Sequence, residues 1–368
     1  MNILVIKFRN IGDVLLTAPL ITALHTAGHR VSALVKSGTE AMLEGHPQLD
    51  DVLVYPMRSQ GEGRLAYLRR ELAFYRQLRA RRFDLAINTT EGDRGVIAAF
   101  LSGAQRRRGP FTPGRDNRWR RYLLTETVNP RDTHLRHTVL RNLDLGHPDA
   151  ANIPIAVTLH INDADRDTVR RLLDAQGYDS ARPLVHIHPT SRWFFKCWTE
   201  DGMAATIDYL IANGAQVALS CAPDGHERAK LDAILARCRQ RPFDLGGRLT
   251  LKQTAALSAI AAVFFGVDTA PMHMAAAVGT PVVAIFGPSG AFDWGPWPNG
   301  WRSDANPYPA RNGVQSAGAH LVIQQSWDCA PCGQAGCNNS KRSDCLERTG
   351  TTQVIAALDA ALARSHVR

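Results

Sequence analysis

Three short stretches of this 368-residue chain carry side chains suited to moving a proton or neutralising an anion. The first holds Asp13, which follows Gly12 where an apolar run gives way to a helical pattern. N–H groups without partners at a helix start favour an ionised acid, and such a carboxylate can accept a proton from a hydroxyl as a general base; the same spacing also suits a plain N-cap. The second is His188-Pro189-Thr190-Ser191-Arg192-Trp193-Phe194-Phe195-Lys196-Cys197-Trp198. Its hydroxyls and cations at a strand end fit a cradle for a developing diphosphate, whereas its four aromatic residues equally fit simple packing. The third is Asp268-Thr269, capping a helix through Pro271, Met272 and His273 just after the strand Val263 to Phe265, with Gly266 read as a sharp exit. A helix N-terminus at the carboxyl end of a parallel strand is a natural seat for phosphate, and the plain alternative is an ordinary βαβ crossover.

The elements that must hold these residues alternate between strand and helix. Met1 to Phe8, Val31 to Val35, Val52 to Tyr55 and Leu85 to Asn88 read as strands, with helices at Val14 to Ala27 and Arg64 to Arg82. From Gly103 to Asn129 the pattern dissolves into a long functional loop with one short strand near Tyr122 to Thr125, followed by a helix over Thr133 to Leu145. Gly146 to Pro183, with a helix at Asp163 to Ala175, reads as the crossing into a second half. There Leu184 to His188, Gln216 to Ser220 and Val282 to Phe286 are strands, and Thr199 to Asn213, Asp224 to Arg239 and Thr250 to Ile260 are helices. Beyond Gly287 the chain reads as irregular until a closing helix at Thr351 to Ser365. This is an α/β plan with parallel sheets, and the length favours two domains.

The formal net charge of +9 is concentrated: seven arginines face one acid between Arg64 and Arg82, and seven face one acid between Arg106 and Arg121. Such density favours an anionic partner, a nucleic acid, a phosphorylated sugar or an anionic membrane face, with a solvated arginine-rich helix as the plain alternative for the first cluster. RNA-recognition and zinc-finger signatures are absent, so nucleic acid is not the expected partner. GxxxxGK[ST] and GxGxxG are also absent, which argues against P-loop enzymes and common dehydrogenases. No run reaches the roughly 20 apolar residues of a membrane span, and the apolar start is too short for a signal peptide, so the expected location is cytoplasmic.

Four of the seven cysteines, Cys329, Cys332, Cys337 and Cys345, are spaced so that they could supply thiolates to a structural zinc; packed free thiols are the equal alternative and a disulfide the weaker one. His186 and His188 share one face of a strand and read as packed or hydrogen-bonded.

Taken together, KFRNIGDVLLTAPLITAL, HPTSRWFFKCW and GVDTAPMHMAAAVGTPVVAIFGP resemble the motifs of the lipopolysaccharide heptosyltransferases, glycosyltransferase family 9, with HPTSRWFFKCW most like the heptosyltransferase III branch. The resemblance runs over nearly the whole chain and implies a GT-B fold of two Rossmann-like domains: 1–160 binding the acceptor, 161–350 binding the nucleotide sugar, and a helix at 351–368 that packs back towards the first. It implies inverting transfer of heptose from ADP-heptose to the lipid A-core acceptor, without a cofactor for catalysis, by an enzyme peripheral at the cytoplasmic face of the inner membrane. A related core position or nucleotide sugar, or a non-catalytic binding protein on the same scaffold, is the alternative.

By the same resemblance Asp13 is the general base, and Thr190, Ser191 and Lys196 hold the donor diphosphate, with Lys196 neutralising the leaving group. Asp268, Thr269, Ala270 and His273 form the second donor loop, where Ala270 stands in place of a common glycine. Glu227, in preference to Asp224, is the acid for the ribose, and Leu249 is the contact for adenine. Arg115, Arg118, Arg120 and Arg121 are expected to grip the acidic acceptor.

Overall fold

Asn-Ile-Leu-Val-Ile-Lys forms β1 (Asn2–Lys7), buried on both faces as a central parallel strand requires. In the computed structural model, which describes residues 1–129, 136–146 and 155–365, it lies at the middle of a six-stranded parallel sheet. The order is β3-β2-β1-β4-β5-β6, with β2 (Arg30–Lys36), β3 (Asp51–Tyr55), β4 (Leu85–Asn88), β5 (Arg106–Pro110) and β6 (Glu126–Val128). The chain divides into two units, one of Met1–His160 with Arg302–Asp304 and one of Ile161–Trp301 with Ala305–Arg368.

After β1 come two helices where one is expected, α1 (Ile11–Leu15) and α2 (Ala18–Thr26). Pro19, in the first turn of α2, lacks the N–H that would continue α1, so the chain restarts there. Helix α3 (Arg64–Ala80) buries Leu78, and Phe74 and Tyr75 pack with Tyr55 against Leu4, Ile6 and Ala86 of the sheet; α4 (Asp93–Leu101) adds Ala98 and Ala99 to the same layer.

The stretch expected to be a loop, 103–129, is instead largely ordered. Arg-Arg-Arg-Gly-Pro forms β5, α5 (Arg118–Leu123) covers the first half of the expected strand, and β6 follows at Glu126. β5 is held by partners rather than propensity: Arg106 and Arg108, on one face by the two-residue period, both pair with Glu126, at 2.8 and 2.6 Å. Arg107 donates to the carbonyls of Leu123 and Ala104. Three arginines of the second cluster therefore serve the sheet, not a ligand. The expected helix over 133–145 starts outside the described residues, and its described part is α6 (Thr138–Gly146). The expected crossing likewise includes 147–154, outside the described residues.

In the second unit, after α7 (Asp163–Asp174), a seven-stranded sheet runs β12-β13-β11-β10-β7-β8-β9. Its strands are β7 (Leu184–His188), β8 (Gln216–Leu219), β9 (Phe243–Asp244), β10 (Val263–Val267), β11 (Val282–Phe286), β12 (Gln315–Ala317) and β13 (His320–Gln324), and only β12 pairs antiparallel. The helices are α8 (Glu200–Ala212), α9 (Gly225–Leu235), α10 (Leu251–Ile260), α11 (Ala270–Ala277), α12 (Ala291–Trp294), α13 (Asp344–Glu347) and α14 (Thr351–Ser365). The region after Gly287 is thus less irregular than expected, containing α12, β12, β13 and α13. Successive residues of β10 feed opposite layers, Phe265 packing with Trp198, Met203 and Leu358, and Phe264 with Met272 and Phe286. Helix α14 packs on α8, β10 and β11.

Gly266 lies inside β10, paired with His188, and is not an exit turn. A Cβ on it would come within 2.8 Å of the His188 carbonyl oxygen, so the requirement is close approach of two central strands.

Candidate active site

In the first unit, β1 delivers its last residues to the start of α1. Asn10 is the N-cap of α1, and Asp13, at the third helical position, accepts the Asn10 N–H on Oδ2 at 3.3 Å. The capping reading thus belongs to Asn10; Asp13 is half-buried, and its Oδ1 has no hydrogen-bond partner among the described residues. Lys7, which motif reading passed over, lies nearby. It is buried and donates to the Thr89 carbonyl at 2.9 Å. Burial lowers its ammonium to about 8, and the charge of Asp13 works against that shift, so the two are in electrostatic reach. The signal in the sequence was a single lysine ending an otherwise apolar strand.

The expected acceptor arginines separate. Arg118 and Arg121 line a cavity of about 660 Å³ with Phe111, Asp116 and Tyr122. Arg115 is exposed and lies outside that lining. Arg120 is turned inward, pairing with Asp93 at 2.6 Å and Asp116 at 2.8 Å with its side chain 15% exposed. Its guanidinium is already paired, and it orders the 111–124 segment.

In the second unit, the carboxyl ends of β7 and β10 bring two motifs together. Lys196 closes a single 3-10 turn, Phe194–Lys196, and its Nζ lies 2.6 Å from Asp268 Oδ2, which also accepts from Ser289 Oγ. Burial by itself would raise the Asp268 carboxyl; the Lys196 ammonium, its hydrogen bond and that of Ser289 outweigh burial and hold it below its ordinary value. Asp268 therefore does not cap α11. Thr269 is the N-cap, without a side-chain cap bond, leaving the α11 N-terminus to act on an anion. Ala270 opens that helix half-buried, and His273, three residues on, is buried.

Thr190 donates to Glu227 Oε2 at 2.6 Å, and the Ala222 N–H reaches the same oxygen at 3.2 Å. Asp224 caps α9, accepting from the backbone of His226 and Glu227, so the two acids of this loop have different work. A buried chain leads away from Glu227. His188 lies 4.0 Å from Glu227 and 2.8 Å from Ser220, which also bonds His186 at 2.7 Å, and His186 bonds Ser258 at 2.8 Å. Burial drives His188 down to about 3 and His186 well below its ordinary range, so both are neutral hydrogen-bonding groups, as their alternation suggested. Leu249 is buried just before Thr250, the N-cap of α10.

The aromatic residues of the second motif divide. Trp198 is core, donating to the Thr349 carbonyl at 3.1 Å. Trp193 and Phe195 stack at 6.1 Å and, with Lys196, Ser289, Asp293, Trp294 and Cys332, line a cavity of about 450 Å³ beside the Lys196–Asp268 pair. Ser191 is buried and accepts the Trp193 N–H at 3.3 Å.

The four spaced cysteines do not form the expected tetrahedral set. Among the described residues no group of three or more His, Cys, Asp or Glu is arranged to hold a metal ion. Cys329 and Cys332 are exposed, while Cys345 is buried against the α14 layer, which pushes its thiol up to about 11.

The geometry accords with the comparisons. The model of glycosyltransferase family 9 (heptosyltransferase) matches residues 71–311. Lipopolysaccharide heptosyltransferase 3 of Escherichia coli strain K12 is 30% identical over 320 residues, covering 85% of this chain and 91% of that protein. Among solved structures, a glycosyl transferase family 9 protein from Veillonella parvula DSM 2008 aligns with a TM-score of 0.80 at 18% identity, over 99% of this chain and 97% of that one. The Escherichia coli ADP-heptose lps heptosyltransferase II aligns with 0.74 at 18%, over the full length of both. At that identity the likeness establishes the fold, GT-B with two Rossmann-like domains. The chain is a member of glycosyltransferase family 9, the heptosyltransferases.

Proposed function

We propose that this enzyme moves a heptose from ADP-heptose to the inner core of lipopolysaccharide, inverting the anomeric carbon, in the manner of the heptosyltransferase III branch. The observation that carries the reading is the 30% identity to a heptosyltransferase 3 across 91% of that protein's length. The Lys196–Asp268 ion pair beside the uncapped start of α11 supports it chemically. In this reading the first unit, 1–160, binds the acceptor and the second, 161–350, the donor. Asp13 takes the proton of the acceptor hydroxyl through its unengaged oxygen as that hydroxyl attacks the anomeric carbon.

The departing ADP gains negative charge as the glycosidic bond breaks. Lys196, the α11 N-terminus with Thr269 and Ala270, and the Ser191 hydroxyl meet that charge with donors set before reaction, while Thr190, whose hydroxyl donates to Glu227, joins them by turning from that carboxylate. Asp268 keeps Lys196 aimed, Glu227 receives the ribose hydroxyls, Leu249 meets the adenine, and His273 completes the loop. Arg115, Arg118 and Arg121 bind the anionic acceptor, with Arg120 holding their segment. The acceptor is anchored in lipid, so the enzyme works peripherally at the cytoplasmic face of the inner membrane; among the described residues no helix is long and apolar enough to cross it.

The test is heptose transfer from ADP-heptose to core acceptors of defined truncation, with Asp13→Ala alongside. The expected result is transfer to one truncation length, abolished by Asp13→Ala while ADP affinity is kept. Transfer by Asp13→Ala above a tenth of the wild-type rate, or no transfer to any acceptor, overturns the reading.

A further inference from the structure

Helix α3 carries a face that the proposed chemistry leaves unused. Leu65, Leu68 and Leu72 are 74%, 50% and 59% exposed, unusual for leucines in an ordered helix that also contributes to a core. Their spacing of three and four places them in one row. The core-facing side of α3, which adjoins the row, is occupied. There Phe74 and Tyr75 pack on Tyr55, whose hydroxyl meets those of Tyr67 and the carboxylate of Glu71, and Leu78 is buried. The leucine row is therefore a second apolar stripe, directed to solvent by the packing of the first.

Its surroundings state what could cover it. At about 100° per residue the row continues into Arg76, and Arg69 falls beside it. Arg64 flanks its N-terminal end. All three arginines are exposed, and none takes an ion pair among the described residues, whereas Arg70 and Arg81 of the same stretch pair with Glu62 and Asp51. A second copy of this chain would bring like charges against each other. An anionic bilayer instead offers acyl chains to the leucines and phosphates to the arginines, the pattern of a helix lying in a membrane interface.

We infer that the outward face of α3, Leu65, Leu68 and Leu72 with Arg64, Arg69 and Arg76, is the surface by which this protein docks on an anionic lipid bilayer. The inference rests on the proposed lipid-anchored acceptor for its biological sense, but not for its test. Arginine attraction brings the helix to the surface and is weakened by salt; leucine insertion holds it there.

The experiment is co-sedimentation of the full chain with vesicles of phosphatidylcholine alone or with roughly a third phosphatidylglycerol, free of lipopolysaccharide. Wild type is expected to bind only the anionic vesicles, and less at high salt. Arg64→Glu/Arg69→Glu/Arg76→Glu is expected to lower partitioning at least about a hundredfold, from the usual contribution of each basic residue at such a surface. Leu65→Ser/Leu68→Ser/Leu72→Ser is expected to lower it about tenfold. ADP affinity, measured by calorimetry on each variant, stays at the wild-type value because all six positions are exposed. Wild type that ignores anionic vesicles, variants that bind as wild type does, or leucine variants that convert a dimer to a monomer in sedimentation velocity would overturn the inference. Vesicle binding without heptose transfer in the acceptor assay would sink the activity reading alone, and transfer without vesicle binding would sink this one alone.

Discussion

Replacing Lys196 by alanine separates two roles that one ammonium group can play. With its side chain 24% exposed and Asp268 only 8% exposed, the pair is largely but not wholly desolvated. Orphaning a fully buried partner costs about 3–5 kcal/mol, and discounting for the solvent that reaches Lys196 leaves about 2 kcal/mol. The loss depends on pH. Without Lys196, burial is opposed only by Ser289 and the charge of His273, so the Asp268 carboxyl rises from its wild-type position; the variant regains part of its deficit in acid and is weakest, relative to wild type, once Asp268 is ionised. Under the proposed function, the stabilisation of departing ADP by Lys196 is a separate term, about 3–4 kcal/mol or 10²–10³-fold in kcat by comparison with other preorganised donors. The double variant Lys196→Ala/Asp268→Asn removes the orphaned charge and is expected to recover most of the stability in urea unfolding while kcat stays at least a hundredfold low. Recovery of kcat to within tenfold of wild type would refute the reasoning, because it would make Lys196 a packing partner of Asp268 and nothing more.

The neutral histidine chain makes stability fall with acid: unfolding frees His188 to protonate near 6.5 while the folded chain resists to about 3, so stability drops as pH falls below 6.5. About 2 kcal/mol is expected to be lost from His188 by pH 5, with His186 adding in the same direction, and equal urea midpoints at pH 7.5 and 5 would contradict this. Gly266→Ala forces a methyl towards the His188 carbonyl and is expected to cost about 2 kcal/mol, read as a lower urea midpoint at unchanged slope. Arg118→Glu/Arg121→Glu is expected to raise the acceptor KM at least tenfold with stability nearly unchanged, whereas Arg120→Ala costs about 1–2 kcal/mol through its bonds to Asp93 and Asp116. Acceptor kinetics and urea unfolding on both variants check the division.

Apolar runs such as Ile3 to Ile6 and Val282 to Phe286 can only be buried strands, and the helices between them dictate parallel sheets, so the two-sheet plan was legible residue by residue. β5 was not, because three arginines in succession have no strand period of their own; Glu126, and for Arg108 also the carbonyls of Leu145 and Gly146, make Arg106 and Arg108 tolerable there. Each half of the Lys196–Asp268 pair could be read as a strand-end residue. Their contact could not, since it depends on β7 and β10 being neighbours in a sheet whose order is not the order of the chain. The same holds for Thr190 and Glu227, joined across β7 and the start of α9. Arg120 shows the reverse limit: composition counted its charge as available, and only the positions of Asp93 and Asp116 show it neutralised. For the cysteines, spacing left zinc and packed free thiols equally open, because it is blind to the burial of Cys345 in a core.

The carboxylate at position 13 is aimed by an amide of the main chain, and that donor belongs to every amino acid but one. The side chain of Asn10, as N-cap, helps to fix where α1 begins, so a change there acts on the aim through that start, whereas the N–H itself is kept. Proline alone deletes the N–H, and because the local φ of −82° already suits its ring, it would do so with little distortion of the turn. The alignment of the proposed base is in this sense set by the path of the backbone through residue 10.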